Sequence, residues 1–140
     1  FANYKNDFPN FKSVDLDTIL SESDIISFHC KPNADGKSII SANELDLMKN
    51  ESLIINTARG NLVSEKDLFQ ALSTGKLKGA AIDVFNEEPA KKNILFGLEN
   101  VILTPHIAAS TEEAQIIVAE MVANQFADYF NDNKIVNEVI

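Results

Sequence analysis

Polar and ionisable side chains follow several short apolar runs of this 140-residue sequence, at the point where each run ends. They include the guanidinium of Arg59, the imidazoles of His29 and His106, and the carboxylates of Asp83, Glu87 and Glu88. A guanidinium forms a planar fork that binds a carboxylate through two hydrogen bonds and polarises an adjacent carbonyl. An imidazole titrates near neutral pH and passes a proton to or from an oxygen. A carboxylate beside the imidazole fixes its tautomer and favours its protonated form.

Together these groups suit the interconversion of a 2-keto acid and a 2-hydroxy acid. No side chain of the protein can supply a hydride, so a nicotinamide cofactor is implied. Each residue alone has a plainer interpretation. An arginine at a strand end is commonly a surface charge, a histidine next to a proline is commonly a loop residue, and Glu87-Glu88-Pro89 alone is an ordinary solvated turn.

Asp83 and Cys30 both lie at the ends of apolar runs. Asp83 stands between apolar neighbours, and a buried carboxylate is costly unless another group pairs with it. We therefore expect a partner for Asp83. Cys30 reads as a small apolar core residue, since nothing in the sequence indicates the environment that thiol chemistry requires.

Extended and helical patterns alternate along the chain, which predicts the elements that must position these residues. The predicted strands are 24–29, 52–57, 79–85 and 101–104. The predicted helices begin at the capping residues Asp15, Ser41, Ser64 and Ser110, with Glu44 and Glu113 completing two capping boxes. The last helix is predicted over 110–131, and Gly75 has the position of a left-handed residue behind the third helix. Residues 1–13 are predicted to be irregular.

This alternation indicates an α/β fold in which a parallel sheet is covered by helices on both faces. In such sheets ligands bind at the carboxyl ends of the strands, so the polar residues are expected to share one edge. Nothing marks an internal linker or repeat, and the chain is expected to be one domain or part of one.

The composition excludes several classes of protein. A hydrophobic content of 45% supports a real core, and a net charge of −9 argues against a nucleic-acid or anionic membrane surface. No apolar run is long enough to span a bilayer, and we predict no metal site. The single cysteine cannot form an internal disulfide, so a reducing compartment, the cytoplasm, is expected. The start at Phe1, without Met or a targeting segment, reads as a cut inside a longer protein.

In their order along the chain, the motifs resemble those of the D-isomer-specific 2-hydroxyacid dehydrogenases, above all the D-3-phosphoglycerate dehydrogenase branch. The matching stretches are 24–29 (DIISFH), 53–63 (LIINTARGNLV), 77–85 (LKGAAIDVF), Glu88-Pro89, 100–106 (NVILTPH) and 109–115 (ASTEEAQ). The resemblance implies a Rossmann-like sheet.

The resemblance also implies a role for each site residue. Arg59 would hold the carboxylate and carbonyl of the substrate, His106 would be the general acid or base, and Glu88 would be the partner of His106. Asp83 would accept a hydrogen bond from the nicotinamide carboxamide. The residues implied to contact NAD are Cys30, Thr57, Ala58, Arg59, Asp83, His106 and Ala109.

Two departures from the family pattern stand out. Lys31 occupies the place of the proline in the usual His-x-Pro, and the chain contains no G-x-G-x-x-G with its following acidic residue. Residues 1–140 are therefore expected to be the C-terminal portion of a dinucleotide-binding domain, without the glycine-rich first βαβ unit and the substrate domain. The isolated chain is expected to be inactive.

The expected partners are a small 2-hydroxy or 2-keto acid and a second copy of the chain in a homodimer. The resemblance allows 3-phosphoglycerate, in serine biosynthesis, as the acid. An alternative is a nucleotide-sensing or protein-binding regulatory module on the same fold, because fold alone does not dictate function. The substitutions Arg59→Lys and His106→Asn discriminate between the two, since only an enzyme loses turnover.

Overall fold

A parallel sheet forms the centre of the first of two compact units. The structure is a computed structural model that describes residues 11–137. The first unit ends at Pro105 and the second begins at His106. The strands are β1 (Ile25–Phe28), β2 (Ser52–Asn56), β3 (Leu77–Ile82) and β4 (Val101–Leu103). They lie side by side in chain order, and every neighbouring pair is parallel.

The helices begin where the sequence places capping side chains. They are α1 (Leu16–Glu22), α2 (Ala42–Leu47), α3 (Glu65–Ser73) and α4 (Glu112–Asp132), with a short 3-10 helix at Gly60–Leu62. Asp15 accepts a hydrogen bond from the backbone N–H of Thr18, and Ser64 accepts one from that of Asp67. Ser41 and Glu44 form the predicted capping box. Gly75 has a φ of 76°, as predicted for a left-handed residue behind α3.

The predicted start of α4 and both predicted ends of the third strand are wrong. The cap of α4 is Thr111, whose hydroxyl accepts from the N–H of Ala114, and not Ser110. Ser110 instead closes a preceding turn by donating its N–H to the carbonyl of Ile107. The third strand starts earlier than predicted, at Leu77, and ends at Ile82, so that Asp83 follows the strand. The irregular opening predicted for residues 1–13 lies largely outside the described residues.

The core of the first unit lies between α1–α3 and one face of the sheet. Its members from the helices are Leu20, Leu45, Leu68, Ala71 and Leu72, and those from the sheet include Ile26, Phe28, Ile54, Ala80 and Ile82. On the other face, Ile25 and Ile102 are 56% and 69% exposed. The predicted α/β architecture, a Rossmann-like parallel sheet with helices, is confirmed. Helices on the second face stay a prediction.

The capping box of α2 gives the stability of the protein a pH dependence with a definite sign. The Ser41 hydroxyl donates a hydrogen bond to the Glu44 carboxylate, and the backbone N–H of Ser41 donates a second one. Both bonds lower the pKa of Glu44 from its usual 4.5, and the hydroxyl has the larger effect. Because the folded pKa lies below the unfolded one, this stabilisation is complete above the unfolded pKa and is lost as the pH falls through the folded value.

Glu44→Gln is therefore expected to have a smaller free energy of unfolding than the wild type at pH 7. The gap, which is the difference between these two free energies, should narrow as the pH falls below about 4.5. Urea denaturation of both proteins at pH 7 and at pH 3 measures the gap at each pH. Ser41→Ala removes the hydroxyl contact to the carboxylate and keeps the backbone one. It should cost about 1 kcal/mol at neutral pH and show a smaller narrowing. A gap that is equal at both pH values would contradict this account of the capping box.

Candidate active site

The turn after β2, which carries Arg59, is held by a buried side chain. Asn56 is 1% exposed. Its Nδ2 donates to the carbonyl of Arg59 at 2.9 Å, and its Oδ1 accepts from the N–H of Ala58 at 3.2 Å. The Arg59 guanidinium donates to the carbonyl of Ala58 at 2.6 Å. The backbone of the turn is thus fixed from inside, while the side chains of Thr57 and Arg59 are exposed.

Asp83 lies directly after β3 and is 3% exposed. Its N–H donates to the carbonyl of Asn56 at 2.9 Å, which continues the ladder between β2 and β3 by one residue. The hydroxyl of Thr104, which follows β4, donates to the Asp83 carboxylate. The expected partner of Asp83 is therefore present. An ionised carboxylate has two oxygens and accepts several hydrogen bonds.

The loop that carries Glu88 is tied at two successive backbone N–H groups. The N–H of Phe85 donates to Glu88 Oε1, and that of Asn86 donates to Glu65 Oε1, both at 2.9 Å. The ring of Phe85 is buried and meets Phe96 edge to face, with centroids 6.2 Å apart. Glu88 is exposed beyond this anchored segment.

Gly60 brings the two loops together. A Cβ atom added to Gly60 would lie 2.1 Å from both the carbonyl carbon and oxygen of Phe85, and 2.6 Å from the nitrogen of Asn86. Only a residue without a side chain allows the two backbones to approach so closely. The structure therefore places the turn of Arg59 against the loop of Glu88, at the carboxyl edge of the sheet.

His106 and Ala109 belong to the second unit, ahead of α4, and both are exposed. His106 has a φ of 57°, in the left-handed region that Asn, Asp and His occupy more often than other residues with side chains. That His106 meets Arg59 and Glu88 stays a prediction, as does the contact of Ala109 with a cofactor.

Cys30 is half-buried and packs against the core of the first unit, as expected for a small apolar residue. Its contact with a cofactor stays a prediction. Within residues 11–137, no group of three or more His, Cys, Asp or Glu side chains could hold a metal ion. None of the helices in that range has both the length and the apolar character needed to cross a bilayer.

Sequence reasoning missed Asn56, Thr104 and Glu65 as part of the site. The signal for Asn56 was available, because an Asn directly before a turn commonly binds the backbone two residues further on. Thr104 and Glu65 had no comparable local signal. Each bonds to a residue 21 positions away, Asp83 and Asn86 respectively.

The fold and this edge of the sheet are those of a dinucleotide-binding domain, and the comparison with known families agrees. The family described as "D-isomer specific 2-hydroxyacid dehydrogenase, NAD binding domain" matches residues 2–108. The chain belongs to this family. NAD, the cofactor predicted from the sequence, is thereby confirmed as the cofactor of the domain.

Individual relatives carry related names. The chain is 45% identical to a D-3-phosphoglycerate dehydrogenase of Methanocaldococcus jannaschii, over 79% of this chain and 21% of the relative. It is 46% identical to a glyoxylate reductase of Thermococcus litoralis, over 79% of this chain and 33% of the relative. The solved structure of a D-2-hydroxyisocaproate dehydrogenase matches with a TM-score of 0.86 and 30% identity, covering 94% of this chain and 44% of the other. The chain thus spans only a fifth to less than half of these proteins.

The residues at the carboxyl edge fit the nicotinamide end of NAD. Asp83 provides a buried acceptor suited to a carboxamide N–H, and the exposed hydroxyl of Thr57 follows the neighbouring strand. Asn56 of β2 pairs with Ile82 of β3, so the next residues, Thr57 and Asp83, leave neighbouring strands side by side. The donors that a glycine-rich turn offers to a pyrophosphate are absent from this sequence.

Proposed function

We propose that this chain supplies the catalytic residues of an NAD-dependent dehydrogenase that interconverts a D-2-hydroxy acid and a 2-keto acid. The observation that carries the proposal is the close approach of the Arg59 turn to the Glu88 loop, which Gly60 permits. It brings a guanidinium-bearing turn and a carboxylate-bearing loop to the edge where parallel sheets bind ligands. The family assignment supports the same chemistry.

In this proposal the guanidinium of Arg59 binds the substrate carboxylate and polarises the neighbouring carbonyl. His106 donates a proton to the carbonyl oxygen during reduction and accepts it during oxidation. Glu88 orients the imidazole of His106 and stabilises its protonated form. When bound, NAD exchanges the hydride.

We also propose which residues contact the cofactor. Asp83 accepts a hydrogen bond from the nicotinamide carboxamide, which orients the ring toward the substrate. The remaining residues assigned to the cofactor cleft are Cys30, Thr57, Ala58, Arg59, His106 and Ala109. The bond from Thr104 supports this role of Asp83, because it fixes the carboxylate before any cofactor arrives.

Arg59→Lys in the complete enzyme tests the proposal at the substrate. A lysine keeps the positive charge and loses the planar fork, so one charged hydrogen bond disappears, at a cost of about 2 kcal/mol. We expect kcat/KM for the keto acid to fall about 30-fold, while the Kd of NADH changes far less because the other residues assigned to the cofactor remain. Steady-state kinetics and fluorescence titration with NADH measure the two quantities. Lys78→Arg, an exposed basic residue of β3, is the control; an unchanged kcat/KM in Arg59→Lys would contradict the role of Arg59.

The domain assignment is also a proposal. We assign residues 1–140 to the C-terminal portion of the dinucleotide-binding domain, supported by the absence of G-x-G-x-x-G from a chain in this family. The isolated chain should then oxidise no NADH with 2-keto acids, because the pyrophosphate cradle and the substrate domain are needed for turnover. Robust activity of purified residues 1–140 would overturn this assignment.

For the substrate we propose 3-phosphoglycerate, as in serine biosynthesis. Three relatives at 40–45% identity are named D-3-phosphoglycerate dehydrogenase. Relatives named glycerate dehydrogenase and glyoxylate reductase reach 45% and 46%, so a direct comparison is needed. Measuring kcat/KM for 3-phosphohydroxypyruvate, hydroxypyruvate and glyoxylate decides between them, and a preference for either of the latter two contradicts the proposal.

We further propose a cytoplasmic homodimer. Its support is the single cysteine and the exposed apolar side chains along α4. These side chains are Ile116, Ile117, Val118, Met121, Val122, Phe126, Tyr129 and Phe130. Light scattering coupled to size-exclusion chromatography tests the oligomeric state, and a monomer at micromolar concentration would contradict it.

A further inference from the structure

We propose that Glu65, at the start of α3, is a positioning residue that anchors the loop of Glu88. The inference rests on the proposed catalytic role of Glu88 and adds a residue outside the predicted site. Its basis is the bond from the N–H of Asn86 to Glu65 Oε1, 2.9 Å long, which joins two segments 21 residues apart.

The bond to Glu65 differs in kind from the local contacts of the loop. Glu88 accepts from the N–H of Phe85, three residues earlier, so that bond shapes the loop without tying it to another element. Gly60 sets how closely the neighbouring turn packs, but it has no side chain to hold the loop. The bond from the N–H of Asn86 to Glu65 joins the loop to the start of α3. A charged acceptor makes a stronger hydrogen bond to a backbone N–H than a neutral one.

Glu65 is itself held in place. It is the first residue of α3, behind the Ser64 cap, and it is half-buried. Later residues of the helix, Leu68 and Leu72, are 1% and 3% exposed and fix α3 on the core. The carboxylate therefore projects from a rigid element, which positions a functional loop better than another loop would.

Glu65 thus affects catalysis indirectly, by fixing the position of Glu88. A small displacement of a catalytic group costs rate even where the chemistry of the group is intact. The substrate carboxylate is assigned to Arg59, whose turn is held by Asn56, so loss of Glu65 should leave substrate binding largely unchanged.

Amide hydrogen exchange at residue resolution, in the complete enzyme, measures the anchoring directly. In Glu65→Ala the N–H of Asn86 is expected to exchange about tenfold faster, because its bond to a charged acceptor is gone. Glu65→Gln keeps an acceptor oxygen and should return the exchange rate to within about twofold of the wild type. Asp67→Ala is the matched control, since it removes the other acidic side chain of the first turn of α3 and should leave Asn86 unchanged. Equal exchange in wild type and Glu65→Ala overturns the anchoring.

Steady-state kinetics of the same variants test whether the anchoring of the loop affects catalysis. Glu65→Ala should lower kcat about tenfold and change the KM of the keto acid less than about twofold. Glu65→Gln should restore kcat, and Asp67→Ala should keep it. Faster exchange at Asn86 with an unchanged kcat overturns the positioning role. Glu88→Gln separates the two proposals: full activity in that variant overturns the role of Glu88, whereas the exchange result for Glu65 stands independently.

Discussion

Replacement of His106 by asparagine is expected to lower the kcat of the complete enzyme by about 10³-fold, the usual scale for loss of a general acid. An amide cannot donate its proton and take it back at neutral pH, so the carbonyl oxygen loses its proton donor. Asparagine also suits the backbone at this position. With a φ of 57° the residue is left-handed, and asparagine adopts that conformation more readily than most residues.

The measurement is turnover of the keto acid with NADH, together with the Kd of NADH and the thermal midpoint. The Kd of NADH should change far less than kcat, because the other residues assigned to the cofactor remain. The thermal midpoint should stay the same, because asparagine does not strain the backbone at this position. The sequence contains two histidines, and His29→Asn, at the end of β1, is the control that should retain turnover. Unchanged turnover in His106→Asn would contradict the enzyme proposal and favour the regulatory module.

Local patterns in the sequence predicted the elements well because capping and strand formation depend on neighbouring residues. Ser41 and Glu44 are three positions apart, and the capping box follows from that spacing alone. The start of α4 shows the limit of such reasoning. Ser110 and Thr111 are both good caps, and the local sequence does not choose between them; in the structure the hydroxyl of Thr111 accepts from the N–H of Ala114.

The candidate site was predictable as a set of residues at one sheet edge, since parallel strands place their carboxyl ends together. The interactions that hold those residues were not. The contact of Gly60 with Phe85 joins segments 25 positions apart, and no periodicity or motif encodes which two loops touch. The sequence suggests only that Gly60 permits an unusual turn. The structure shows that its lack of a side chain serves packing between loops.

That packing makes Gly60→Ala the substitution with the largest expected effect on stability. The new methyl group would stand 2.1 Å from the carbonyl carbon and oxygen of Phe85, well inside van der Waals contact. These are backbone atoms of a segment tied down by Glu65 and Glu88, so they cannot rotate away as a side chain would. We expect a loss of at least about 3 kcal/mol in the free energy of unfolding, at the upper end for overpacking.

Gly36→Ala is the matched control for this prediction. Gly36 has a φ of 74° and nothing within 4 Å of an added Cβ, so alanine there carries only the conformational cost of the left-handed region, about 1 kcal/mol. Gly60 is not left-handed, so its cost comes from the collision alone. Urea denaturation of both variants compares the two costs. If Gly60→Ala proved no more destabilising than Gly36→Ala, the two loops would not be in close contact. The turn of Arg59 would then not lie against the loop of Glu88 as proposed.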